Sequence, residues 1–350
     1  MIGWYVHHQG RGHLHRARSI TAHLDDEVTV LSTLPREDWA ADWVELPRDD
    51  VEGAIDASPG GRLHYAPVGN RGHTDRLATI AAWVRRARPR LVVVDVSVEV
   101  TVLVRTLGIP VVVMAMPGDR DDAPHELGHD LAQGIVAPWP GELYQPAYLR
   151  RRAHKVTYAG GISRHAGRPL PAPDDDSPVA PSGPPGAGAR KVLLLGGAGG
   201  SRLSPADLDA ARAATPGWEW TVAGPLGRWY ADVLPLVTST DVAVIAAGQN
   251  SVADVAAAGR RAVVIAEDRP FDEQRATAGV LRQHGLAVVR EAWPSDWAGV
   301  LDEAMALDPA WERWRTDGAA ARAARAVEAA AEGVTGAERA EGATRTVDAP

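Results

Sequence analysis

The stretch Asp241 to Gln274, DVAVIAAGQNSVADVAAAGRRAVVIAEDRPFDEQ, constrains the fold of this chain more than any other. Val242 to Ala247 is a short apolar run, β-branched enough for a buried parallel strand. Gly248 makes the turn. Ser251 stands where a helix N-cap belongs, and Asp254 three residues on completes a capping-box pattern. Val252 to Ala258 is helical in composition, and Gly259 ends it. Ala262 to Ala266 is a second buried run. A strand–turn–helix–strand unit of this kind aims bare helix N–H groups beyond the strand's carboxyl end, a place suited to phosphate. The loop that follows, Glu267 to Gln274, carries carboxylates and amides, which suit neutral hydroxyls. A diphosphate beside a polyhydroxylated group describes a nucleotide-sugar.

Ala247 to Gly259, AGQNSVADVAAAG, resembles the donor-binding signature of the GT-B glycosyltransferases. It is similar to the UDP-sugar transferases of families 1 and 28, the latter including the lipid-linked N-acetylglucosaminyltransferase of peptidoglycan synthesis. Glu273-Gln274 matches the polar pair that this branch sets against the donor sugar. The resemblance covers most of the chain and is strong in the C-terminal half. It implies an α/β protein of two Rossmann-like doubly wound domains facing a cleft. It also implies a UDP-sugar or TDP-sugar donor, contacted by Gly248, Gln249, Asn250, Ser251, Asp254, Glu273 and Gln274, with no cofactor and no metal ion. Asp254 would meet the ribose hydroxyls and Ser251 the phosphate. Each has a local alternative: Asp254 as capping-box partner, Ser251 as cap, Glu273 and Gln274 as the first turn of a helix from Asp272 to His284.

The remaining chain supports two such domains. Ile2 to Val6 reads as a strand, His7 to His13 (HHQGRGH) as its loop, and Leu14 to Leu24 as a helix. Val28 to Leu31 and Leu63 to Ala66 read as strands, while Pro35 to Gly61 is polar and shows no clear element. Thr74 to Arg88 is a helix closed by Pro89, and Leu91 to Asp95 a buried strand. Val98 to Leu107 is a helix ended by Gly108, and Val111 to Ala115 a strand. This alternation predicts a doubly wound parallel sheet with ligands beyond the strands' carboxyl ends. The expected division is an acceptor domain over 1–165, a Pro/Gly-rich linker over 166–190, a nucleotide-sugar domain over 191–310, and a helix and tail over 311–350. In the second domain Val192 to Leu195 leads into a glycine-rich loop, where Gly197 and Gly199 let a backbone approach a ligand closely. No lysine follows, so it is not a P-loop. Trp218 to Val222 and Leu286 to Val289 are further strands. Trp311 to Ala331 is a helix, which the resemblance implies crosses back onto the first domain. A frayed tail is expected beyond Gly333.

Inverting glycosyl transfer needs a base for the acceptor hydroxyl, and His13 in the first loop is the candidate. The resembling families also end this loop in Gly-His, although Gln9 and Arg11 here interrupt a run that is usually richer in glycine. A cap on the following helix is the plainer role, and His7, His8 and His15 are close enough in sequence to compete. Asp95 ends a buried strand and should face the cleft; in some related transferases an acid at such a place orients the catalytic histidine. His125 and His129 have an i, i+4 spacing that can bind zinc, but with no third ligand evident a solvent-facing helix is the expectation. Arg150, Arg151, Arg152 and Lys155 read as a solvated basic face that could also meet an anionic lipid acceptor. Asp174-Asp175-Asp176 reads as a solvated run.

Composition removes other classes. The chain has 350 residues, enough for two domains, with a net charge of −8, which argues against a nucleic-acid partner. It has no cysteine, hence no disulfide framework or thiol chemistry. No signal peptide or membrane span is read, so a cytoplasmic location is expected, peripheral to a membrane if the acceptor is lipid-linked rather than a small molecule. The leading expectation is an inverting, metal-independent glycosyltransferase. The alternatives are a nucleotide-sugar epimerase of the same fold, or a non-catalytic nucleotide-sugar-binding subunit.

Overall fold

Short β-branched runs become the strands, and the polar, alanine-rich stretches between them become helices. A computed structural model describes residues 1–50, 53–169, 189–197 and 203–345, with 334–345 as helix backbone only. Most of the expected linker, its aspartate run and Gly199 lie outside the described residues.

The first unit comprises β1 (Ile2–Val6), α1 (Gly12–Thr21), β2 (Val28–Ser32), β3 (Asp42–Glu45), α2 (Arg71–Ala87), β4 (Leu91–Asp95), α3 (Val98–Thr106), β5 (Val111–Met114), α4 (Ala123–Leu131), β6 (Gly134–Ala137), α5 (Ala147–Arg150) and β7 (Val156–Tyr158). Its seven strands are parallel, in the order β3-β2-β1-β4-β5-β6-β7. The order reverses between β1 and β4, which opens a crevice at their carboxyl ends. The second unit comprises β8 (Arg190–Leu195), α6 (Pro205–Ala214), β9 (Trp218–Ala223), α7 (Leu234–Thr238), β10 (Val242–Ala246), α8 (Gln249–Ala257), β11 (Arg261–Ile265), α9 (Glu273–Gln283), β12 (Val288–Arg290) and α10 (Trp297–Ala306). Its five parallel strands run β12-β11-β10-β8-β9 and reverse between β8 and β10.

Several expectations are corrected. Leu63 to Ala66 forms no strand: the His64 and Tyr65 N–H groups donate to the Glu99 carboxylate instead of a neighbouring strand. The polar stretch without an assigned element contains β3, which pairs with β2. The last helix does not begin at Trp311. Trp311–Trp314 is a 3-10 turn, Arg315 takes a left-handed conformation with φ 54°, and α11 runs from Ala319 to Arg345, without ending at Gly333.

That terminal segment ties the two units together. Trp311 and Trp314 are buried, and the Trp311 indole donates to the Arg260 carbonyl in the second unit. Then α11 crosses to the first unit, where Ala319, Ala323, Ala324 and Val327 pack with Leu14, Ala17 and Ile20 of α1. Alanine on that face lets the helix come close, and Arg322 donates to the Ala159 carbonyl at 2.8 Å. At the crossing, a Cβ on Gly161 would lie 2.3 Å from the Trp314 indole. Gly161→Ala should therefore destabilise the protein by about 1–3 kcal/mol through overpacking. The control, Gly279→Ala on the open exposed face of α9, should be neutral or stabilising by up to about 1 kcal/mol. Thermal unfolding of the two variants beside the parent checks the pair.

Candidate active site

The carboxyl ends of both sheets face one cleft of about 1810 Å³. Its first-unit wall begins at the loop after β1. Helix α1 starts at Gly12 with no side-chain cap, so His13 does not cap it. Its Nδ1 lies instead 3.0 Å from Oδ1 of Asp95, the last residue of β4. One turn on, Arg16 forks onto the same carboxylate, with Nε donating to Oδ2 at 3.1 Å and a terminal nitrogen donating to Oδ1. Asp95 is 0% exposed and Arg16 3%. Burial pushes the Asp95 carboxyl up, but the adjoining Arg16 and His13 outweigh it and hold the group at about 2. Asp95 therefore stays ionised and accepts from His13, which leaves the lone pair on Nε2. His7 is driven down to about 3 by burial, then by His13 and His8, and burial also lowers His8 and His15. Only His13 of the four bonds Asp95.

The second-unit wall is built on α8. Gly248 is its N-cap, in extended conformation, and among the described residues no side chain caps the helix. Ser251 is thus a first-turn residue, not the cap, and Asp254 is not a capping-box partner. The reason is local: extended Gly248 directly after β10 starts the helix earlier than the Ser251 pattern suggests. Among the described residues the N–H groups of Gln249, Asn250 and Ser251 have no internal partner, and all three residues line the cleft. Helix N–H groups in this state attract anions. Gly197 lines the cleft after β8, with open space where a Cβ would be. Asp254 is 2% exposed and accepts from Ser163 Oγ at 2.7 Å and Arg164 Nε at 3.1 Å. Gln274 uses its carbonyl to accept from the N–H groups of Ala247 and Glu267, which fixes the ends of β10 and β11 together.

Polar contacts span the cleft. Arg16 donates to Gln249 Oε1 at 2.7 Å, and Asn250 donates to the Gly12 carbonyl at 2.9 Å. Arg120 pairs with Glu273 at 3.2 Å. The Asp119 N–H donates to the Phe271 carbonyl at 2.8 Å, an approach possible because residue 118 is glycine: a Cβ there would lie 2.0 Å from that oxygen.

The solvent-facing reading of His125 and His129 is wrong. They are 8% and 3% exposed, because this face of α4 turns to the cleft. His129 stacks on Tyr148 with centroids 5.0 Å apart. His125 Nε2 lies 3.0 Å from Arg120, its Nδ1 lies 2.7 Å from Asp122, and His64 meets the same carboxylate at 3.2 Å. This His64–Asp122–His125 group is compact enough to suggest a metal centre. Arginine can only donate, however, so the His125 proton sits on Nδ1 and points at Asp122, leaving no lone pair there for a cation. Burial and Arg120 lower His125 to about 4, in keeping with a neutral ring. The basic face is corrected in part: Arg150 and Arg151 are exposed as expected, but Arg152 is buried and bonded to Asp130, and Lys155 donates to the carbonyls of Asp130 and Ala132. Arg150 donates to the Gln145 carbonyl and Arg151 pairs with Glu126.

No protein-family model matches the chain, and no curated protein sequence does. Solved structures do. The glycosyltransferase of kitacinnamycin is 18% identical, with 94% of this chain and 98% of that chain covered at a TM-score of 0.64. MurG of Acinetobacter baumannii is 14% identical, with 95% and 97% covered at 0.53. The spinosyn rhamnosyltransferase SpnG, complexed with thymidine diphosphate, is 17% identical, with 97% and 100% covered at 0.53. The chain has the GT-B fold over nearly its full length.

The buried carboxylate makes a pH-dependent contribution that can be measured. Asp95 is depressed from 3.8 to about 2. Its stabilisation is complete above the unfolded value and is lost as pH falls through the folded one. The parent should lose roughly 2 kcal/mol from this group between pH 4.5 and pH 2. Asp95→Asn should lack that component and be weaker by about 3–5 kcal/mol at neutral pH, because it strands a buried guanidinium. Urea unfolding at several pH values reads both.

Proposed function

We propose that this protein is an inverting, metal-independent glycosyltransferase that moves a sugar from a nucleoside-diphosphate sugar, most simply a UDP-sugar, to an acceptor hydroxyl. One observation carries the reading: the His13–Asp95 pair faces the uncapped N-terminus of α8 across a single cleft. The GT-B fold and the resemblance of Ala247 to Gly259 to a donor-binding signature support it.

The chemistry follows from that placement. The acceptor oxygen attacks the anomeric carbon on the face opposite the diphosphate. His13 Nε2 takes the hydroxyl proton as the new C–O bond forms, and Asp95 holds the imidazole and balances the charge it gains. The bond from the anomeric carbon to the phosphate oxygen breaks in the same displacement, so configuration inverts. The departing diphosphate gains negative charge, which the first-turn N–H groups of α8 stabilise. In this reading Gly197, Gly248, Asn250 and Ser251 lie along the phosphates, Asp254 beside the ribose, and Glu273 with Gln274 beside the sugar. The acceptor occupies the first-unit wall.

His13→Ala should lower single-turnover transfer by about 10²- to 10⁴-fold and leave UDP or TDP affinity close to the parent's. Unchanged turnover would put the base elsewhere; loss of nucleotide binding would end the division of labour between the two walls. Transfer should also persist in excess EDTA. Abolition by the chelator with rescue by Mg²⁺ or Mn²⁺ would exclude the metal-independent scheme.

A further inference from the structure

We propose that Arg16 is a positioning residue that couples the two walls of the cleft: it sets the proton on the His13–Asp95 pair and, through Gln249, aims a side-chain N–H at the donor's diphosphate. The inference rests on the glycosyl-transfer reading above.

A guanidinium offers five N–H groups in a fixed plane and accepts from nothing. In Arg16 that plane reaches partners on both walls. Nε and one terminal nitrogen serve the Asp95 carboxylate, and the other terminal nitrogen serves Gln249 Oε1 at 2.7 Å. The nitrogen on Asp95 also lies 3.1 Å from His13 Nδ1. With Nδ1 protonated, these are two donors side by side, held together by the carboxylate that accepts from both. Arg16 thereby keeps Asp95 ionised and at the angle that places the His13 lone pair on Nε2.

The same fork decides which end of the Gln249 amide faces where. Turned over, the amide would set its NH₂ against a guanidinium, donor to donor. The carbonyl must therefore face Arg16, and Nε2 must face away. Nε2 is buried and, among the described residues, has no hydrogen-bond partner. Gln249 is the first residue of α8, beside the uncapped N–H groups, and it lines the cleft. A buried, oriented, unpartnered N–H donor at the mouth of a helix N-terminus suits a phosphate oxygen. Arg16 thus links base orientation to donor recognition without touching either substrate.

The test uses UDP and TDP as probes with the full-length parent, Arg16→Lys, Gln249→Leu and the double variant. Calorimetric titration measures affinity, single-turnover transfer measures rate, and the imidazole ¹⁵N shifts of His13 report its tautomer. Gln249→Leu should weaken binding of the tighter diphosphate by about tenfold, as expected for a lost hydrogen bond to a charged group. Arg16→Lys should weaken it comparably, and the double variant should be no weaker than the worse single. Arg16→Lys should also move the His13 shifts toward the other tautomer, which Gln249→Leu should not, and both variants should slow transfer. Multiplying effects, or an Arg16→Lys protein with parental affinity and tautomer, would overturn the coupling while the parent's transfer activity stands. A parent that binds neither diphosphate would overturn the coupling and the functional reading together. If Arg16→Lys fails to fold, parental diphosphate affinity in Gln249→Leu still overturns the proposal.

Discussion

The buried ion pair between Arg16 and Asp95 is the interaction on which the cleft depends. A carboxylate with no exposed surface at the end of a central strand would cost several kcal/mol unless paired. The fork of Arg16 supplies the charge and two parallel donors, a geometry that a lysine cannot reproduce. The requirement propagates outward. It fixes α1 against β4, which sets His13 in the first turn of that helix, and it brings α1 within reach of α8 in the other unit.

The two units are held by forces of different kinds. The polar contacts across the cleft, such as Arg120 with Glu273 and Asn250 with the Gly12 carbonyl, contribute little net energy each. The apolar seam contributes more: one hydrophobic cluster contains Val94 of the first sheet, Ile245 of the second, and Trp311 and Trp314 between them. Packing therefore holds the units together, and the directional polar contacts select which residues meet.

Much of the architecture is legible in the chain itself. Parallel strands buried on both faces are written as unbroken apolar runs, and β1, β4, β5 and β10 each lie within a residue or so of the run that predicts them. The His13–Asp95 pair is also accessible, although the two are 82 positions apart, because strand ends in one parallel sheet share a side. Arg16 escapes such reasoning, although it lies three residues from His13 on one helical face, since nothing local tells a guanidinium which distant acid it will meet. Arg120 and Glu273, 153 positions apart, carry even less local signal. Errors arise where two local codes compete. Ser251 and Asp254 spell a capping box, but extended Gly248 starts the helix first. The i, i+4 histidines of α4 suggest a surface, while the fold turns that surface inward.

The histidine-rich wall also sets how the cleft meets ions in solution. His7, His8, His15, His125 and His129 all have their protonated forms disfavoured, mainly by burial. Three of them, His7, His125 and His129, are held at about 3 to 4 and therefore add no charge as the medium moves from neutral to mildly acidic. Arginines such as Arg16 and Arg120 and the N-terminus of α8, which do not titrate there, contribute to the potential felt by an approaching anion. Long-range capture of a charged ligand by these fixed charges should accordingly weaken as ionic strength rises.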